Sequence, residues 1–187
     1  MFTAFLDSNV LVPMALFDTI WRCAERGLFR PKWSQQVLEE VLQVVPKVHP
    51  ELPPSRVYYR LDQMRRAFEE SIVCGYGPMI SGISLPDPHD RHIVAAAQVG
   101  RADLIVTDNL SHFPSEELEK FGLEAVGPDC FLQDMLDLAP EIIRSIILIQ
   151  ALDAQRPSQQ EEDVLVALER AGVGGFVHDY RTLFSVT

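Results

Sequence analysis

Paired cysteines, long apolar runs and an excess of basic residues are all missing from this sequence, and each shortage removes a class of protein. The three cysteines, Cys23, Cys74 and Cys130, are odd in number, far apart and set among apolar neighbours. A disulfide framework or a zinc site needs closer pairs, so the expectation is three reduced core thiols. No apolar stretch reaches the roughly 18–20 residues of a membrane-spanning helix. The opening residues MFTAFLDSNVL carry no positive leader and reach an acid at position 7. That pattern speaks against a secretion signal and for a cytoplasmic location. Bases number 16 against 27 acids, a formal charge of −11. Proteins that hold nucleic acid mainly by neutralising phosphates are usually basic. The objection weakens if several carboxylates are committed to divalent cations, which reverse the local field. A basic binding surface must then be local, or be supplied by a partner.

What is present is a patterned 187-residue chain, 47% hydrophobic, without internal repeats or low-complexity stretches. Residues 1–6 form a short apolar run that ends at an acid, which predicts a buried strand. A helix is expected over residues 10–26. Ser34 is placed to cap a second helix over 35–45. Residues 46–54 read as a proline-rich break, and 55–71 as another amphipathic helix. Short strands are expected at 72–74, 104–107 and 123–126, a loop at 75–89, and helices at 90–99 and 115–121. Strands and helices that alternate with short connections predict an α/β fold with a mainly parallel sheet.

Beyond Asp129 only helical spacing remains, over 131–138, 140–154 and 159–171. Pro140 suits a first turn, Ser158 with Glu161 a capping box, and Gly172 a helix end. The organisation read from the chain is a domain over 1–134 and a helical extension over 135–187 that packs on it or on a partner.

The acids fall at informative places. Asp7 follows the first strand, Asp108 follows the strand at 104–107, Asp90 opens a helix, and Glu40 lies within one. Open parallel sheets bind ligands at the carboxyl ends of their strands. Carboxylates converging there repel one another unless a cation neutralises them. Hard oxygen donors suit Mg²⁺ or Mn²⁺, which activate water and stabilise the leaving oxygen of a phosphoryl displacement. The plainer alternative makes Asp7 and Asp90 turn or cap residues and Glu40 a solvated acid beside Glu39.

The motifs narrow this choice. Phe5-Leu6-Asp7-Ser8-Asn9-Val10-Leu11, the run from Ser34 to Val41, Asp87-Pro-His-Asp90-Arg-His-Ile-Val-Ala95, and the run from Leu104 to Pro114 follow in order over roughly the first 130 residues. Together they resemble the PIN-domain family, and within it the VapC-like toxin ribonucleases of toxin–antitoxin systems. The resemblance implies a doubly wound α/β sandwich and an acid set of Asp7, Glu40 and Asp90, rather than Glu39 or Asp87. At the fourth position relatives often carry Thr-x-Asp, where this chain has Asn109 after Asp108; either residue is a candidate to fill it. Asp7, Asp90 and Asp108 are the implied metal ligands, with Ser8, Asn9, Thr107 and Asn109 orienting them. The implied activity is Mg²⁺- or Mn²⁺-dependent endoribonuclease cleavage of a phosphodiester, leaving a 5′-phosphate and a 3′-hydroxyl. Structured RNA such as transfer or ribosomal RNA, a cognate antitoxin and a homodimer are the partners it implies.

Two other readings stand beside it. A haloacid-dehalogenase-type phosphatase also has an early Asp, but needs an acid where Asn9 stands and a lysine better placed than Lys120. A non-catalytic PIN-like module that binds RNA or protein is the rival outside enzymes. His89 and His92, flanking Asp90, read as exposed histidines of a loop and a helix start, and His112 as a surface residue. Arg22, Arg30, Lys32, Arg91 and Arg101 read as solvated cations. Trp21, Trp33 and Phe113 are expected in the core; the Tyr58–Tyr59 pair could serve partner binding, but one tyrosine simply packing is the plainer expectation.

Overall fold

A computed structural model describes residues 1–153 and 160–185. Along the chain lie β1 (Thr3–Leu6), α1 (Ser8–Leu11), α2 (Met14–Glu25), β2 (Arg30–Ser34), α3 (Gln35–Val48), α4 (Pro54–Ala67) and β3 (Ile72–Val73). They are followed by α5 (Arg91–Val99), β4 (Leu104–Val106), α6 (Ser115–Leu118) and β5 (Glu124–Val126). Four helices complete the described chain: α7 (Pro128–Leu138), α8 (Pro140–Asp153), α9 (Glu161–Arg170) and α10 (Gly174–Phe184). These elements form two compact units. One joins Met1–Val12 to Phe29–Val126; the other joins Pro13–Leu28 to the chain from Gly127 onward. The helix α2, counted with residues 1–134 in the sequence reading, therefore packs in the second unit.

The first unit is an α/β fold around a five-stranded, wholly parallel sheet in the order β3-β2-β1-β4-β5. β1 is buried at every residue, as expected of a central strand. Strand order runs outward from β1 through β2 to β3, then returns to β4 on the other side. The switch point of the sheet lies between β1 and β4, where such folds place their ligands. Leu6 pairs with Val106, so the next residues, Asp7 and Thr107, leave their strands side by side. The helix α5 packs against the sheet through buried Ile93, Val94, Ala95, Ala96 and Ala97; the run of alanines permits a close approach. At its end, a Cβ on Gly100 would lie 2.7 Å from Val73 Cγ2, so that corner admits glycine alone without rearrangement.

Several elements differ from the sequence expectation for identifiable reasons. β2 was not foreseen as a strand, since Arg30-Pro31-Lys32 interrupts any apolar run; its place between β1 and β3 makes it one. The expected helix over 10–26 is two helices. Pro13 has no N–H to continue α1, adopts an extended conformation (φ −70°, ψ 117°) and starts α2. Conversely, α3 runs through Pro46 to Val48 rather than stopping before it. Ser34 does cap α3, its Oγ accepting from the Val37 N–H at 3.2 Å.

The second unit is helical. Thr19 on α2 donates to Gln150 Oε1 on α8 at 2.8 Å, and Gln150 Nε2 donates to the Ala15 carbonyl at 3.1 Å. Both side chains are buried, so each satisfies the other inside an apolar interface. α10 was not anticipated, because Gly174-Gly175 is a poor helix start. Here the Asp129 carboxylate supplies the missing cap from α7, accepting from the N–H groups of Gly175 and Phe176 at 3.2 and 2.8 Å. Ser158 lies outside the described residues; the capping box of α9 is formed by Gln160 and Asp163. Gly172 ends that helix at φ 93°, as expected of a glycine there.

Of the cysteines, only Cys23 is a core thiol, its pKa pushed up to about 12 by burial. Cys74, just after β3, and Cys130, in the first turn of α7, are exposed, contrary to expectation. Trp33 and Phe113 are buried as foreseen, whereas Tyr58 and Tyr59 stand in solvent. Among the described residues no helix is long and apolar enough to cross a membrane.

Candidate active site

The site is built around the end of β1. Asp7 is 4% exposed and caps α1 with Oδ1, which accepts from the Ser8 N–H at 2.6 Å and the Ser8 hydroxyl at 3.4 Å. Its Oδ2 accepts from the Thr107 hydroxyl at 2.7 Å and from Asn9 Nδ2 at 2.8 Å. Thr107 Oγ1 in turn accepts from Asn9 Nδ2 and from the Asn109 N–H, both at 3.1 Å. One donor and two acceptors exhaust a threonine hydroxyl, so this one is fully used. Asn9 Oδ1 accepts from the Asp108 N–H at 3.2 Å. Ser8, Asn9 and Thr107 thus lock Asp7 in one orientation and tie β1 to β4 at the switch point.

That carboxyl is held under electrostatic tension. Burial raises the Asp7 pKa most; the Thr107 and Ser8 hydrogen bonds oppose it, and the negative charges of Asp90 and Glu40 raise it further. Glu40, half-buried on α3, has a partner of its own: His92 Nε2 lies 3.0 Å from its Oε1. Burial works against the ionised Glu40, yet hydrogen bonds from His92, Ser8 and Gln36 prevail and set its pKa below the ordinary value. Asp90 stands at the cap position of α5 but makes no side-chain bond to the helix. Its Oδ2 instead lies 2.7 Å from His112 Nδ1. Asp87 caps the short 3₁₀ turn Pro88–Asp90 through the His89 N–H at 2.9 Å. Donor atoms of Asp87, Asp90 and His112 lie within 4.8 Å of one another, the one such trio among the described residues.

The structure therefore gathers Asp7, Glu40 and Asp90 with Ser8, Asn9 and Thr107. The fourth corner is looser. Asp108 and Asn109 are both exposed, and each is fixed through its backbone N–H rather than through its side chain.

Two residues read from the sequence as surface histidines belong to this site. His92 is buried and ends on Glu40; its Nδ1 has no partner among the described residues. Its position one helical turn before buried Ala96 was the available signal. His112 pairs with Asp90 across 22 residues of sequence, which no local pattern reveals. Among the cations considered, Arg22 is bound to Asp18 and Asp153, and Lys32 to the Glu70 carbonyl. Neither is a free phosphate contact.

Fold and acid cluster define a class, and comparison with known families gives the same one. Residues 3–111 match the PIN-domain family profile, and the chain belongs to that family. Residues 128–182 match a second profile, the VapC50 C-terminal domain. The particular relative is the protein named "Putative ribonuclease VapC50" of Mycobacterium tuberculosis (strain ATCC 25618 / H37Rv), 43% identical over 74 residues. The alignment covers 40% of this chain and 43% of that protein, so the chain spans less than half of its relative. No solved structure matches the chain.

Proposed function

We propose that this chain is a divalent-metal-dependent endoribonuclease, the toxin of a toxin–antitoxin pair. The observation that carries the reading is the buried Asp7 carboxyl, pushed up by burial and by Asp90 and Glu40, at the sheet's switch point. The charges of Asp90 and Glu40 act on Asp7 at that place, and a hard divalent cation would relieve their repulsion. Asp7 and Asp90 would hold it, with Asp108 at the end of β4 as the third ligand and Asn109 its alternate. A bound Mg²⁺ or Mn²⁺ supplies an activated water and polarises the phosphate, so that the scissile bond leaves a 5′-phosphate and a 3′-hydroxyl.

The chain's own groups do the positioning. Thr107, Asn9 and Ser8 fix both oxygens of Asp7. Hydrogen bonds from His92, Ser8 and Gln36 favour the ionised form of Glu40, which would let it accept a proton from a bound substrate. His112 orients Asp90. The relative's printed name supports an RNA substrate; transfer or ribosomal RNA, a cognate antitoxin, a homodimer and a cytoplasmic location complete the proposal. The nuclease chemistry is assigned to the N-terminal part of the chain, over 1–134, and the remaining helices to an extension.

Purified protein is expected to cut structured RNA with Mg²⁺ or Mn²⁺ and to stop on chelation, with 5′-phosphate ends. Asp7→Asn and Asp90→Asn should abolish cutting. A wild type that cleaves neither transfer nor ribosomal RNA with either ion sinks the reading. If it still binds them, the non-catalytic module replaces it.

A further inference from the structure

If a chain of net charge −11 acts on RNA, it needs a local basic surface, and one element has the composition for it. α4 carries Arg56, Arg60, Arg65 and Arg66 against a single acid, Asp62. A quarter of all the chain's lysines and arginines thus lie in 14 residues. Its apolar stripe, Val57, Leu61 and Met64, is buried, which turns the remaining faces outward. On them stand two neighbouring aromatic side chains, Tyr58 and Tyr59, 61% and 67% exposed.

We propose that the outer face of α4 is a docking surface for single-stranded RNA. The choice of ligand rests on the nuclease reading; the choice of surface rests on α4 itself. Two adjacent exposed rings beside arginines offer what single-stranded RNA uses, since unpaired bases stack on rings and arginines take the phosphates between. Distant acids matter little to such a contact, because the Debye length is about 8 Å at physiological salt. The Arg66–Asp62 pair at 2.8 Å is an exposed one; such pairs contribute little to stability, so Arg66 can exchange its partner for phosphate.

Position connects this surface to the acids. Arg65 Nη2 donates to Gln35 Oε1 at 2.7 Å, and Gln35 Nε2 donates to Glu39 Oε1 at 2.9 Å. Gln36, the next residue on α3, hydrogen-bonds Glu40. Tyr58, Asp62 and Arg65 follow at i, i+4 and i+7 and so share one stripe, the stripe that borders α3. RNA lying along it runs beside the helix that carries Glu40.

The test uses the full chain, a fluorescein-labelled unpaired RNA oligonucleotide and its duplex, with chelator present so that binding is read without cleavage. Wild type should prefer the single strand. Tyr58→Ala with Tyr59→Ala should weaken single-strand binding by at least about 5-fold per ring, the lower end of a stacking contact. Arg66→Gln should lower the slope of log affinity against log salt by about 0.7, for one lost phosphate contact. Tyr58, Tyr59 and Arg66 are exposed, so the unfolding midpoint should stay near wild type and serve as the folding control. Unchanged affinity and slope in both variants, or no binding by wild type, overturns the proposal. Binding that depends on α4 without metal-dependent cleavage would uphold this surface and reject the nuclease. Cleavage with an indifferent α4 would do the reverse.

Discussion

The two strand ends that flank the switch point differ in construction. At the end of β1, Asp7 is buried and both its oxygens are engaged by four donors. At the end of β4, Asp108 and Asn109 stand exposed and, among the described residues, are held through their backbone N–H groups. The first corner is a rigid anchor whose ionised form is disfavoured by burial and by the charges of Asp90 and Glu40. The second is an adjustable edge, able to meet a ligand without first breaking contacts. On the proposed reading, the fixed corner would orient a metal from one side and the yielding one would leave room for substrate on the other.

The rigid corner can be broken at Thr107. Thr107→Val keeps the shape but removes the hydroxyl that serves Asp7, Asn9 and Asn109 at once. Groups that orient metal ligands typically matter by about 10–100-fold in activity, and that loss is expected here in a cleavage assay. Stranding buried polar groups should also lower stability by about 1–3 kcal/mol, read by chemical denaturation. Activity near wild type would show that Asp7 does not need the lock.

A smaller effect sharpens the charge argument. Asp7 has a folded-state pKa above its ordinary value of 3.8. A carboxyl shifted that way binds its proton more tightly folded than unfolded. Its stabilising contribution is full below the unfolded value and is lost as pH rises through the folded one. Metal-free wild type should therefore lose unfolding midpoint relative to Asp7→Asn as pH climbs from about 4. The comparison reads the slope of the difference, so any constant cost of the amide cancels. A flat difference would mean that burial and the neighbouring acids do not burden Asp7.

Much of this arrangement could be read from residues alone, for local reasons. β1 and β4 are apolar runs halted by polar residues, and their register then brings Asp7 beside Thr107 without further information. The motif around Asp7 and the family resemblance directed attention to Glu40 and Asp90. What stayed hidden depends on partners distant in sequence. β2 is a strand by virtue of its neighbours, despite Pro31 and two basic residues. α10 begins on two glycines because Asp129, 46 residues earlier, caps it. His92 and His112 look like surface residues until Glu40 and Asp90 are seen beside them. α4, too, reads as an amphipathic helix until the exposure of its tyrosines is known.

The contrast between the two corners is tested most directly by calorimetric titration of Mn²⁺ into wild type, Asp7→Asn and Asp108→Asn. Saturable binding by wild type, its loss in Asp7→Asn and a weaker but measurable signal in Asp108→Asn are predicted. Equal Mn²⁺ binding by wild type and Asp7→Asn would contradict the account, because the carboxyl placed at its centre would then hold no metal.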